Sequence, residues 1–190
     1  MKTMILFLAV MTMFLFSCRK DKNVDLPSNS DNLIANPSFE TISHQPDYSG
    51  WTGTAYLFDS LGHQNFPLVQ DAPQGGGLWC VQVEPLWAPQ EGFTETMLTG
   101  QTGTHNYQLT LWMKTIHWRG LISLEQWRNG QLIDDKNLSD TSSLWKRESL
   151  VNTMMVLPTD TLKIHFSAGY TEMISGQVRF DNVKLEIINP

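Results

Sequence analysis

Trp112 stands in the segment Tyr107 to Thr115 among Gln108, Thr110 and Lys114, all at two-residue spacing. Side chains alternate across a strand, so these four share one face, and Tyr107, Leu109, Leu111 and Met113 fill the other. Two further segments repeat the arrangement: Glu125 and Trp127 oppose Ile122 and Leu124, while Lys163, His165 and Ser167 oppose Leu162, Ile164 and Phe166. An indole among amide, hydroxyl and charged groups has the chemistry of a saccharide site. Its ring stacks on the C–H face of a pyranose, and the polar groups take directed hydrogen bonds from the hydroxyls. Trp87, in Glu84-Pro85-Leu86-Trp87-Ala88-Pro89, and Trp118 fall in loops placed to rim the same concave face. The expected ligand-binding set is therefore Trp112, Glu125, Trp127, Lys163, His165 and Trp87. The competing expectation is that these side chains lie under a loop or edge and complete the packing.

Other chemistries find less support. His44, His63, His105, His117 and His165 show none of the close intervals of a zinc site. The chain has no Gly-x-Ser-x-Gly nucleophile elbow, no phosphate-binding glycine loop and no Cys-x-x-Cys. A glycosidase needs two carboxylates facing each other across a sugar; Glu84, Glu91, Glu95 and Glu125 are available, but no pattern singles out two. The expectation is that the protein is not an enzyme.

The elements that must position these residues are strands. After Asn32 no stretch carries a long 3.6-residue period, whereas Trp79 to Val83, Tyr107 to Thr115, Leu121 to Arg128, Leu162 to Phe166 and Val178 to Ile187 all alternate. Asn129-Gly130 is a two-residue turn signal, with the return strand starting at Leu132-Ile133. Gly75 to Gly77 and Gly100 to Gly103 punctuate other strand entries. This pattern predicts an all-β fold, a jelly-roll β-sandwich, in one domain over residues 32–190.

The chain opens with Lys2, an apolar run from Met4 to Phe16 and the tetrad Leu15-Phe16-Ser17-Cys18, followed by Arg19-Lys20-Asp21-Lys22. The run is short of the roughly 20 residues that span a bilayer core, so it reads as an export signal. The tetrad resembles the lipobox of bacterial lipoproteins. That resemblance implies cleavage behind Ser17 and a diacylglycerol on Cys18, with residues 1–17 as signal peptide and 18–31 as a lipidated tether. An ordinary secretory signal is the alternative, and both place the domain outside the cytoplasm. The expected location is the outer membrane or cell surface, held there by the lipid. The formal net charge is -6 and becomes more negative when Lys2 is removed, which excludes nucleic acid as a natural partner. Cys80 is then the one thiol left, and its setting in Leu78-Trp79-Cys80-Val81 reads as a small strand residue.

The ordered landmarks resemble the carbohydrate-binding modules of families 4, 9 and 22. Asn32-Leu33-Ile34-Ala35-Asn36-Pro37-Ser38-Phe39-Glu40 is similar to their opening strand, and Gly50-Trp51 follows. Then come Gly77 to Val83, Tyr107 to Lys114, Trp145 ahead of a strand, and the closing Phe180-Asp181-Asn182-Val183-Lys184-Leu185. The resemblance implies a galactose-binding-like jelly roll in which Trp51 and Trp145 pack internally; Tyr107 joins them through its inward register. It also implies a structural calcium ion held by Glu40 and Asp181, with the Ser38 carbonyl and one near Gly77 as companions. The function implied is non-catalytic binding of a polysaccharide or oligosaccharide beside separate glycan-degrading enzymes or transporters. A structural or adhesion module with a protein partner is the alternative, and a glycan lyase or hydrolase comes third.

Overall fold

The computed structural model describes residues 32–54, 67–84, 92–169 and 176–188. Strands dominate these residues, and none of them is helical. One sheet contains β1 (Thr52–Thr54), β4 (Gly92–Leu98), β6 (Arg119–Arg128), β7 (Gln131–Asp140) and β9 (Asp160–Gly169), in the order β1-β4-β9-β6-β7. The other contains β2 (Leu68–Val69), β3 (Cys80–Val83), β5 (Gly103–Ile116), β8 (Lys146–Val156) and β10 (Gln177–Ile188), in the order β2-β3-β10-β5-β8. We refer to them as the front and back sheets. Every pairing is antiparallel.

The core lies between the sheets because alternation sends one apolar row inward from each strand. Leu109, Leu111 and Met113 of β5 are fully buried, as are Ile122 and Leu124 of β6 and Leu162, Ile164 and Phe166 of β9. Aromatic rings tie the two layers together. Phe166 of the front sheet stacks on Phe180 of the back sheet with centroids 4.6 Å apart at 14°. Trp51 lies 5.4 Å from Phe166 and Phe39 lies 4.7 Å from Trp51, so the chain start is drawn into the same column. Such pairs contribute about 0.5–1.5 kcal/mol each beyond their buried area.

Two turns decide where the strands go. Asn129 and Gly130 both take the left-handed backbone (φ 51° and 78°) that a two-residue hairpin of matching twist requires, and Arg128 pairs with Gln131. Between β5 and β6 only His117 and Trp118 intervene, yet the two strands belong to different sheets. The chain turns a corner there. His117 has φ 63°, Trp118 drops inward to 4% exposure, and Gly176 leaves room for its ring, since a Cβ at Gly176 would overlap the indole. The expectation that Trp118 rims a binding face is corrected by this packing.

The opening segment is also not the regular strand expected. Residues 32–39 run beside β10, but the Asn32 side chain replaces main-chain ladder bonds: its Oδ1 accepts from the N–H of Ile34 (3.1 Å) and of Leu185 (3.0 Å), and its Nδ2 donates to the Val183 carbonyl (3.1 Å). Pro37 has no N–H to donate and Phe39 has φ 56°, so the ladder cannot propagate. Trp145, expected inside, stands half-buried outside the core, with the Lys114 ammonium 6.0 Å from its ring. It precedes β8, an edge strand of its sheet.

Candidate functional site

The outer face of the front sheet gathers most of the side chains that the alternation marked. Residues opposite one another on antiparallel strands present their side chains to the same face. Across β4, β9 and β6, one row is Glu95, His165 and Ser123, and the next is Met97, Lys163 and Glu125. Glu95 Oε2 lies 3.1 Å from His165 Nδ1 and 3.3 Å from Lys163 Nζ. The same Lys163 ammonium stands 4.5 Å from the centre of the Trp127 ring. The indole N–H of Trp127 donates to Glu125 Oε2 at 2.6 Å, and Ser123 Oγ donates to Glu125 Oε1 at 2.6 Å. Phe93 closes the far end by stacking on His165, centroids 5.0 Å apart at 23°. Seven side chains from three strands therefore form one connected network, an aromatic ring at each end and polar groups between.

Glu125, Trp127, Lys163 and His165 were expected on this face. Phe93, Glu95 and Ser123 complete it. On β4 the outward row is Phe93, Glu95 and Met97, while Thr94 and Thr96 face the core. The threonines are tolerated there because their hydroxyls donate to the carbonyls of Thr52 (3.1 Å) and Gly50 (2.5 Å). A hydroxyl so paired loses its desolvation penalty.

Trp112 does not join the others. It leaves the core as its register predicted, but β5 lies in the back sheet, where Trp112 pairs with Asp181 of β10 on one side and Arg147 of β8 on the other. Alternation reports in or out and is silent about which sheet. Trp87 and Cys18 lie outside the described residues.

The front network is partly buried, the side chains of Lys163, Glu95 and His165 being 14%, 15% and 26% exposed. The cavities of about 640 Å³ and 210 Å³ lie beside the opening segment, and neither is lined by Trp127, Glu125, Lys163 or His165.

A second constellation sits against β10. Glu40 and Asp181 are buried, and each has one oxygen satisfied by a backbone donor: Leu78 N–H to Glu40 Oε2 at 3.1 Å, Asn182 N–H to Asp181 Oδ1 at 2.7 Å. The other oxygens, Glu40 Oε1 and Asp181 Oδ2, are buried with no hydrogen-bond partner. Successive glycines cover them, for a Cβ on Gly76 would overlap Asp181 Oδ2 and one on Gly77 would overlap Glu40 Oε1. Gly77 also has φ 90°, which side chains other than glycine rarely adopt. Burial, and then the neighbouring Glu40 charge, push the Asp181 carboxyl up to about 9. Two orphaned carboxylate oxygens beneath a glycine cradle fit a hard, oxygen-ligated cation. Ser38 is buried nearby in sequence, and His44 Nδ1 approaches Glu40 at 3.4 Å on Oε2, the oxygen that the Leu78 N–H already engages, so the remaining ligands of such an ion would be carbonyls.

Cys80 is inert by its surroundings. It is fully buried, its Sγ approaches the Asp71 carbonyl at 3.4 Å, and burial pushes the thiol up to about 12.

No protein-family profile matches the sequence, and no curated protein matches it. Solved structures do match the fold. TmCBM61, solved with β-1,4-galactotriose, is 14% identical with a TM-score of 0.51, over 84% of this chain and 100% of that one. The CBM22-2 xylan-binding domain of Paenibacillus barcinonensis Xyn10C is 9% identical with a TM-score of 0.51, over 75% of this chain and 94% of that one. This chain has the jelly-roll fold of carbohydrate-binding modules. The enzymatically active domain of bacteriophage CBA120 tailspike protein 4 contains a similar jelly roll at 15% identity and a TM-score of 0.60, over 83% of this chain; this chain spans only 21% of that one. On the jelly roll described here the front network occupies the outer face of one sheet, and the carboxylate pair lies against the closing strand of the other.

Proposed function

We propose that the protein is a non-catalytic glycan-binding module, exported and held at a membrane surface by a lipid on Cys18. The observation that carries the reading is the front network: Trp127 is fixed at its edge by Glu125 and on one face by Lys163, which leaves the opposite ring face as the stacking surface for a sugar. Glu95, His165, Glu125 and Ser123 supply donors and acceptors for hydroxyls, and Phe93 offers a second apolar edge. The jelly-roll fold shared with sugar-binding domains supports the same conclusion. Affinity from such a site is modest, because few contacts survive the cost of stripping water from hydroxyls.

Two arguments favour binding over catalysis. Glu95 and Glu125 lie on strands separated by β9, whose Lys163 and His165 stand between them. The Glu95 carboxylate is also turned to both of those groups and does not face Glu125 across a gap that a sugar could occupy.

Glu40 and Asp181 would hold a calcium ion, with carbonyls of Ser38 and the Gly77 region beside them. Bound there, the ion ties the opening segment to β10 and neutralises two buried carboxylates; its role is structural.

A glycan-array screen of the soluble domain, residues 23–190, tests the function. Binding to a polysaccharide or oligosaccharide, lost in Trp127→Ala, is the expected result; silence across the array alongside capture of a single protein ligand would favour the adhesion reading.

A further inference from the structure

We infer that Glu125 is a specificity residue by which the front face rejects anionic glycans, an inference that rests on the glycan-binding reading above. Both Glu125 oxygens accept from neutral donors, Ser123 Oγ and Trp127 Nε1, each at 2.6 Å. Neutral donors orient a carboxylate without cancelling its charge. The cation across from it in register, Lys163, turns its ammonium to Glu95 at 3.3 Å and to the Trp127 ring at 4.5 Å. His165 also faces Glu95. On the other flank Glu125 is paired with Asp135 of β7, which points to the same side and accepts from the neutral amide of Asn137. In the rows beside Trp127, Glu95, Glu125 and Asp135 thus outnumber the Lys163 ammonium, and no ion pair joins Glu125 to a cation among the described residues.

The uncompensated charge sits at the edge of the indole on which a sugar would stack. A neutral hydroxyl finds a strong acceptor there. A uronate or sulfate in the same place meets a like charge, and two unit charges about 6 Å apart in a half-solvated site repel enough to weaken binding about tenfold. Selectivity built on repulsion of the wrong ligand is an ordinary route to discrimination.

The test is calorimetric titration of the full chain in detergent with neutral polymers (β-1,4-galactan, xylan, mannan, mixed-linkage β-glucan) and with polygalacturonate. Wild type and Glu125→Gln are compared at low and at high salt. In the variant the amide oxygen still accepts from the Trp127 N–H, and the amide NH2 donates to the Ser123 hydroxyl, which reverses its role, so the network is retained. Wild type is expected to bind at least one neutral polymer and to bind polygalacturonate at least about tenfold more weakly. Glu125→Gln should narrow that gap by strengthening polygalacturonate binding, and salt should narrow it in wild type by screening. If wild type binds polygalacturonate as tightly as its neutral ligand, or if the ratio is unchanged in Glu125→Gln, the selector is wrong and the glycan reading stands. If no neutral polymer and no polygalacturonate binds, the glycan reading falls and takes this inference with it.

Discussion

The Lys163 ammonium stands 4.5 Å from the centre of the Trp127 ring, on a side chain that is itself only 14% exposed. With the indole N–H tied to Glu125, the ring is fixed in two directions before any ligand arrives. Preorganisation of this kind lowers the ordering cost that weak sugar binding can least bear.

Trp127→Ala should abolish glycan binding while lowering stability by only about 1–2 kcal/mol, the sum of a cation–π contact and one hydrogen bond. Trp112→Ala should leave glycan binding unchanged, because Trp112 belongs to the back sheet. Titration with an array-identified glycan, beside thermal melting of each variant, checks both; loss of binding in Trp112→Ala alone would move the site to the other face.

Millimolar calcium should raise the melting temperature above that in chelator, since a ligand of the folded state stabilises it by mass action. Asp181→Asn should erase the response. In chelator this variant should melt no lower than wild type, because the buried Asp181 carboxyl, pushed up to about 9, must take up a proton on folding at neutral pH, a cost that a neutral amide does not carry. A calcium-dependent shift that persists in Asp181→Asn would place the ion elsewhere.

Trp51→Ala should destabilise the fold by about 3–5 kcal/mol, since it empties the aromatic column. Trp145→Ala should cost well under half of that, its ring lying outside the core. Urea denaturation of both variants compares them directly, and the reverse order would contradict the packing described.

Asp160 ties the start of β9 to β6: its carboxylate accepts from Arg128 Nε at 2.6 Å, Gln126 Nε2 at 2.6 Å and the Leu157 N–H at 2.8 Å. These groups, the Arg128 hydrogen bond foremost, hold its carboxyl well below the usual carboxylate range. A depressed value in the folded state means that the stabilisation is complete above the unfolded value of about 4 and is lost as pH falls below it. Asp160→Asn should melt lower at neutral pH and lose less between pH 5 and pH 2 than wild type does. Parallel melting curves for the two chains over that range would refute the latch.

Cys18→Ala should block lipid attachment and release the chain from membranes. Intact-mass analysis of the mature protein checks this, and an unmodified N-terminus at another residue would remove the anchor.

Much of this molecule was legible before any coordinates, for a local reason. Alternation is a property of a single strand, so the inward rows Leu109-Leu111-Met113, Ile122-Leu124 and Leu162-Ile164-Phe166 could be read directly, as could the turn at Asn129-Gly130. The polar faces carrying Trp127, Glu125, Lys163 and His165 followed from the same periodicity. Which sheet each strand joins is a different kind of fact, set by the corner at His117 and Trp118 and by long-range pairing of β5 with β10 and β8. That corner separates Trp112 from Trp127, although both strands show the same outward pattern. Phe93 and Glu95 stayed hidden because Thr94 and Thr96 face the core with hydroxyls paired to the backbone of a segment more than 40 residues away in sequence. The convergence of Glu40 and Asp181 beneath Gly76 and Gly77 likewise exists only where three distant segments meet. Local patterning is written in neighbouring residues, whereas the company a side chain keeps depends on how the sheets are stacked.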